Sequence, residues 1–67
     1  MRGQARAEDF KRWELAAKRM SIAALRFSYE DALAAFRSVS TFNEDRGSFY
    51  KDEALTYFAE LKQRGAV

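Results

Sequence analysis

Six apolar residues repeat at alternating spacings of three and four, and this repeat constrains the fold more than any other feature of the chain. On an α-helix such spacing brings all six side chains to one face, as in helices that pack against one another. No glycine or proline occurs from residue 4 to residue 46, so the pattern predicts a long first helix. We expect this helix to begin near Ala5 and to continue past Met20. The six residues are Phe10, Trp13, Ala17, Met20, Ala24 and Phe27.

A second helix is predicted directly after the first. Ser28 and Asp31 partly match a capping box, in which a side chain accepts a hydrogen bond from the first turn of the helix. The second helix is therefore expected to run from Tyr29 to about Ser38. Several poor helix formers follow Arg37, and they end it.

A third helix is predicted after a loop at residues 41–48. Within this loop, Thr41 and Glu44 match a capping box and can form a single helical turn. Ser48 is then expected to cap the last helix, and Gly65 is expected to end it. The predicted fold class is all-α: one small domain, residues 1–67, in which a long helix and a helical hairpin form a three-helix bundle.

The bundle is expected to be completed by homodimerisation. A chain of 67 residues lies near the lower size limit for an independent core, and such chains usually need a further source of stability. Cysteine and histidine are absent, so disulfides and the usual zinc ligands are not available. A second apolar line lies well around the first helix from the first line, which predicts burial on two sides. This second line consists of Leu15, Ile22, Leu25 and Tyr29.

The residue inventory excludes the common kinds of catalysis. Without histidine or cysteine, the usual nucleophile–base pairs cannot form, and three glycines provide no phosphate-binding loop. Gly47 occupies the glycine position of a calcium-binding loop, but the same register places Phe42 and Arg46 at ligand positions, where oxygen atoms are needed. We therefore expect no enzyme activity, no catalytic residue, no metal site and no cofactor.

The chain is expected to be cytoplasmic, with no membrane partner. No run approaches the ~18 consecutive apolar residues of a membrane span. The first residues are charged and do not resemble a signal peptide, and the lack of cysteine fits a reducing compartment.

The abundance of aromatic residues leads to the first functional hypothesis. Six Phe, three Tyr and one Trp exceed what a three-helix core of this length readily encloses, and Trp, Tyr and Arg dominate binding energy at protein interfaces. We therefore expect a small regulatory or inhibitory protein that binds another protein. Burial of all these rings in the core is the alternative, and Trp13 equally fits a dimer core. The candidate protein-binding residues are Phe10, Arg12, Trp13, Phe42 and Tyr50.

The distribution of charge leads to the second hypothesis, nucleic-acid binding. Up to Arg26 the chain has seven basic and three acidic residues, a net charge of +4, whereas the remainder has five basic and seven acidic residues, a net charge of −2. Basic residues at heptad spacing on one helix would form a ridge that can contact phosphates. A solvated charged face is the alternative. The candidate nucleic-acid-binding residues are Lys11, Arg12, Lys18, Arg19 and Arg26.

Overall fold

A computed structural model describes residues 5–67. These residues form an all-α three-helix bundle, as the sequence predicts. The helices are α1 (Ala7–Arg19), α2 (Ile22–Val39) and α3 (Glu44–Gln63). α3 is the central element, because it packs against α2 over a large interface and against α1 over a smaller one. α1 and α2 make few direct contacts with each other.

The first helix is shorter than predicted, because the chain turns at Met20 and Ser21. Both residues have extended backbone, with ψ values of 149° and 166°. The Ser21 hydroxyl then accepts a hydrogen bond from the Ala24 N–H at 3.0 Å and caps α2. The prediction of one helix continuing to Phe27 is therefore wrong, since Phe27 lies on α2 and is 73% exposed.

The second helix begins at Ile22, six residues before the predicted cap Ser28. Ser28 lies inside α2, where its hydroxyl donates a long hydrogen bond of 3.7 Å to the Met20 sulfur. Ser21 takes the capping role instead, because the extended backbone at Met20 places Ser21 at the first free amides of the new helix.

The third helix begins at Glu44, so most of the predicted loop at residues 41–48 is helical. Asn43 is the cap, and its side-chain oxygen accepts a hydrogen bond from the Arg46 N–H at 3.1 Å. Glu44 and Asp45 occupy the first turn, where carboxylates interact favourably with the helix dipole. The prediction that Ser48 caps this helix is therefore wrong.

Gly47 lies inside α3 and is buried where the helix passes the end of α2. A Cβ atom added at Gly47 would lie 2.6 Å from the Ser40 Cβ and 3.0 Å from the Ser40 Cα. The absence of a side chain therefore permits the close approach of α2 and α3 just after they reverse direction.

The core is built on the α1 stripe and the inner face of α3. The fully buried members of the central cluster come from all three helices, and several half-buried side chains pack around them, including Phe10, Met20, Tyr29 and Phe49. The stripe predicted for the first helix is thus partly confirmed. The buried members are Trp13, Ala17, Leu25, Tyr57 and Leu61.

Arg64 joins the end of α3 to the end of α1. Its guanidinium donates hydrogen bonds of 2.7 Å to the Met20 carbonyl, 2.9 Å to the Ala17 carbonyl and 3.3 Å to the Lys18 carbonyl. Its Nε also donates to the Glu60 carboxylate at 2.9 Å. Arg64 therefore supplies donors to the carbonyls at the end of α1, where the Ala17 carbonyl also accepts from the Met20 N–H at 3.1 Å.

Gly65 ends α3, as predicted. Its φ of +72° lies in the left-handed region that glycine adopts without steric cost. The Ala66 N–H donates to the Leu61 carbonyl at 2.9 Å, and the Gly65 N–H donates to the Lys62 carbonyl at 3.0 Å, which is the Schellman arrangement. This turn fixes the direction of the chain immediately after Arg64.

We expect Gly47→Ala to destabilise the fold even though alanine is the better helix former. The helix-propensity gain of up to ~1 kcal/mol is outweighed by overpacking against Ser40, which typically costs about 1–3 kcal/mol. Thermal unfolding followed by circular dichroism measures the difference. The matched control is Ser48→Ala at the next, exposed position, where we expect a change within about 0.5 kcal/mol. A Gly47→Ala variant that melts above wild type would contradict the close approach.

We expect Arg64→Ala to lower the free energy of unfolding by about 2 kcal/mol, because charge-assisted hydrogen bonds to three carbonyls are lost. Chemical denaturation followed by circular dichroism is the measurement. Arg64→Lys should fall between wild type and Arg64→Ala, since one ammonium cannot reproduce the planar fork of the guanidinium. Lys62→Ala removes a nearby cation whose ammonium lies 5.9 Å from the Phe58 ring centroid and that forms no ion pair within the described residues; it serves as the control. Equal losses for Arg64→Ala and Lys62→Ala would refute the role given to Arg64.

Candidate protein-binding surface

Three of the predicted protein-binding residues belong to one row of aromatic rings. Phe10 packs edge-to-face on Trp13 with ring centroids 5.4 Å apart, and Trp13 packs in the same way on Phe49 at 5.1 Å. Phe49 in turn contacts Tyr50 at 5.5 Å. Such edge-to-face pairs are favourable beyond the area they bury. Sequence reasoning missed Phe49, because it placed this residue in the first turn after a Ser48 cap rather than inside α3.

Trp13 is a core residue. It is 5% exposed, and the Arg12 guanidinium lies 5.9 Å from its ring centroid while pairing with Asp9 at 2.9 Å. Tyr50 is half-buried, and its hydroxyl accepts a hydrogen bond of 3.3 Å from Arg46. Trp13 therefore joins α1 to α3 through Phe49, and Tyr50 packs within α3; neither presents its full ring to solvent.

Phe42 lies apart from this row. It is 86% exposed in the short connection between α2 and α3, and within residues 5–67 no ring contact joins it to another aromatic side chain. The structure thus separates Phe42 from the other four predicted protein-binding residues.

A groove of about 470 Å³ runs between α1 and α3 and contains the accessible side of Phe10. Its apolar lining also includes Leu55, which is 51% exposed. Among residues 5–67, no side chain fills this space between the two helices. The apolar lining residues are Phe10, Ala17, Leu55 and Ala59, and the polar ones are Glu14, Lys18, Asp52, Thr56, Glu60 and Gln63.

The rim of the groove carries more negative than positive charge. Glu60 pairs with Arg64 at 2.9 Å and with Lys18 at 3.6 Å. The hydrogen bond from Arg64, with a smaller contribution from Lys18, holds the pKa of Glu60 below its usual value. Glu14 on α1 and Asp52 on α3 make no ion pair with any residue from 5 to 67. Two uncompensated carboxylates therefore flank the apolar lining.

The outer side of α1 presents an exposed leucine among basic residues. Leu15 is 61% exposed, and basic residues precede it by four and three positions and follow it by three and four. These positions surround one side chain on a helix surface. We call this set the basic face of α1; it consists of Lys11, Arg12, Leu15, Lys18 and Arg19.

Four of the five predicted nucleic-acid-binding residues lie on the basic face. Arg12 and Lys18 are engaged with Asp9 and Glu60, whereas Lys11 and Arg19 make no ion pair within the described residues. The fifth residue, Arg26, lies on α2 and donates to the Ala66 carbonyl at 3.1 Å. The turn at Met20 and Ser21 therefore breaks the predicted heptad ridge after Arg19.

No protein-family model matches this chain, and neither a curated protein nor a solved structure is significantly similar to it. Among the helices that the structure describes, none is both long enough and apolar enough to cross a membrane.

Proposed function

We propose that this chain is a small, non-enzymatic protein-binding module that takes an amphipathic helix with a basic face into the groove between α1 and α3. In this role it regulates or inhibits the protein that carries the helix. The observation that carries the proposal is a partly apolar groove flanked by two carboxylates, Glu14 and Asp52, that form no ion pair within the described residues.

The shape and lining of the groove support a helical occupant. Two antiparallel or crossing helices leave a furrow in which a third helix buries apolar side chains at every third or fourth position. Phe10 and Leu55 offer apolar surface for such side chains, and the small Ala17 and Ala59 allow a close approach. Burying apolar area favours association, although the freedom lost by the two partners offsets part of this gain.

The charges support a basic occupant over an acidic one. A lysine or arginine of the incoming helix that approaches Glu14 or Asp52 gains an ion pair at the rim, whereas a carboxylate is repelled. Rim charges of this kind act mainly on specificity and association rate. Of the five predicted protein-binding residues, the proposal retains Phe10 as a binding residue. It gives Arg12, Trp13 and Tyr50 a structural role and gives Phe42 none.

We extend the proposal to a cytoplasmic homodimer, the state expected from the small size and the cysteine-free composition of the chain.

A pair of designed helical peptides tests the groove. One peptide carries Leu at heptad a and d positions with Lys elsewhere, and the other replaces every Lys by Glu. We expect the labelled Leu/Lys peptide to bind with a micromolar dissociation constant in fluorescence anisotropy, and the Leu/Glu peptide to bind at least tenfold more weakly. Ala59→Arg places a long cation in the groove and should abolish binding of the Leu/Lys peptide.

The control for this experiment is Phe42→Ser, which changes an equally exposed site outside the groove and should bind the peptide as wild type does. Equal affinity for the two peptides, or unchanged binding by Ala59→Arg, would refute the proposed function.

A second function, nucleic-acid binding, is favoured by the four basic residues around Leu15. Lys11 and Arg19 have no ion-pair partner in residues 5–67, so their charges are available to phosphates. Sequence-independent binding of this kind falls steeply with salt, with a log–log slope of about −0.9 per phosphate neutralised.

For this second function we expect the chain to bind a generic DNA duplex at low salt. Arg19→Glu should weaken this binding more than Arg37→Glu does. Both substitutions change the net charge equally, but Arg37 is an exposed residue of α2 outside the basic face. Fluorescence anisotropy at low and moderate salt is the measurement. If the two variants weaken duplex binding equally, the binding depends on net charge alone, and the basic face is not a nucleic-acid site.

A further inference from the structure

The groove between α1 and α3 and the basic face of α1 are adjacent surfaces of the same helix. Lys18 contributes to both, since it lines the groove and follows Leu15 by three positions. Trp13, by contrast, points into the core, and Ala17 lies between the core and the groove. α1 therefore has one side in the core, one side on the groove and one side, centred on Leu15, that nothing within residues 5–67 covers.

We propose that the groove is occupied by the basic face of a second copy of this chain, with Leu15 of each copy inserted into the groove of the other. This inference rests on the proposed function, because it names the occupant of the same groove. It replaces the general requirement for a basic amphipathic helix with a specific helix, α1 of the second copy.

Charge complementarity within the one sequence supports this occupant. Within residues 5–67, the basic face offers two cations that form no ion pair, Lys11 and Arg19, and the groove offers two carboxylates that form none, Glu14 and Asp52. Reciprocal docking brings these two sets of charges together. The same contact covers Leu15 and Leu55, which are 61% and 51% exposed in the single chain.

Two-fold symmetry favours a closed dimer over an open-ended assembly of many copies. Each copy carries one inserting leucine and one groove, and α1 contributes to both. A two-fold axis beside α1 therefore forms both contacts at once and leaves neither surface open. Since the contact is small, we expect a dissociation constant in the micromolar range.

Analytical ultracentrifugation of the full chain tests the self-association. We expect the average mass of wild type to rise towards twice the 7.7 kDa mass of the chain as its concentration is raised through the micromolar range, and Leu15→Glu to raise the dissociation constant at least tenfold. Leu15 is exposed, so the far-ultraviolet circular dichroism of this variant should match wild type. Phe27→Ser changes a more exposed apolar side chain, on the outer side of α2, and should leave the dimer intact.

A charge-reversal experiment tests the specific docking. One double variant, Lys11→Glu with Arg19→Glu, carries an acidic face and an acidic groove. The other, Glu14→Lys with Asp52→Lys, carries a basic face and a basic groove. Each double variant alone should be monomeric, because face and groove then repel, and an equimolar mixture should recover the dimer.

The outcomes separate this inference from the function on which it rests. The Leu15→Glu variant keeps its groove, so it should still bind the Leu/Lys peptide. If it binds the peptide but wild type is monomeric at every micromolar concentration, the second copy is not the occupant and the groove function stands. If it does not bind the peptide, the groove function fails. The inference is overturned if Phe27→Ser dissociates the wild-type dimer. It is also overturned if the mixture of the two double variants remains monomeric.

Discussion

The hydrogen bonds of Arg64 to the end of α1 are the interaction on which the arrangement of the helices depends. α1 has few contacts with α2, so it is held mainly by α3. At one end, Trp13 packs on Phe49. At the other, Arg64 donates to the carbonyls of Ala17, Lys18 and Met20. Free carbonyls at a helix end otherwise require water or another donor. The guanidinium therefore both ends α1 and fixes its angle to α3.

Arg64 and the side chains that it contacts also determine the charge of the groove. Arg64 also pairs with Glu60, and Glu60 in turn pairs with Lys18. These contacts neutralise the groove at the end near Arg64, whereas Glu14 and Asp52, elsewhere on its rim, pair with no cation among residues 5–67. A carboxylate that loses its water on burial needs a partner, whereas Glu14, which is exposed, and Asp52, which is half-buried, keep part of their surface in solvent until a cation arrives. The stabilising interaction and the proposed recognition surface are therefore adjacent parts of one charge arrangement.

The fold class, the central part of the apolar stripe and the end of α3 at Gly65 could be predicted from the sequence, because each depends on local spacing or backbone conformation. The turn at Met20 and Ser21 could not. The sequence around Ser21 supports both a helix interior and a helix cap, and the difference in propensity between these states is small. Arg64, more than forty residues away, satisfies the carbonyls that the turn exposes. The start of α3 could have been predicted from the sequence, because Asn43, the observed cap, is among the best capping residues.

The candidate site was harder to predict, because aromatic and charged residues reveal their roles only through tertiary contacts. Trp13 and Leu15 lie on the same helix two positions apart, yet Trp13 is 5% exposed and Leu15 is 61% exposed. Composition favours Trp13 as an interface anchor, and the fold places it in the core instead. Likewise, Lys11 and Lys18 are equivalent in a heptad pattern, but only Lys18 meets a carboxylate of α3. Local spacing therefore identifies the faces of α1, and α3 decides which of them is buried, which borders the groove and which remains open for a partner.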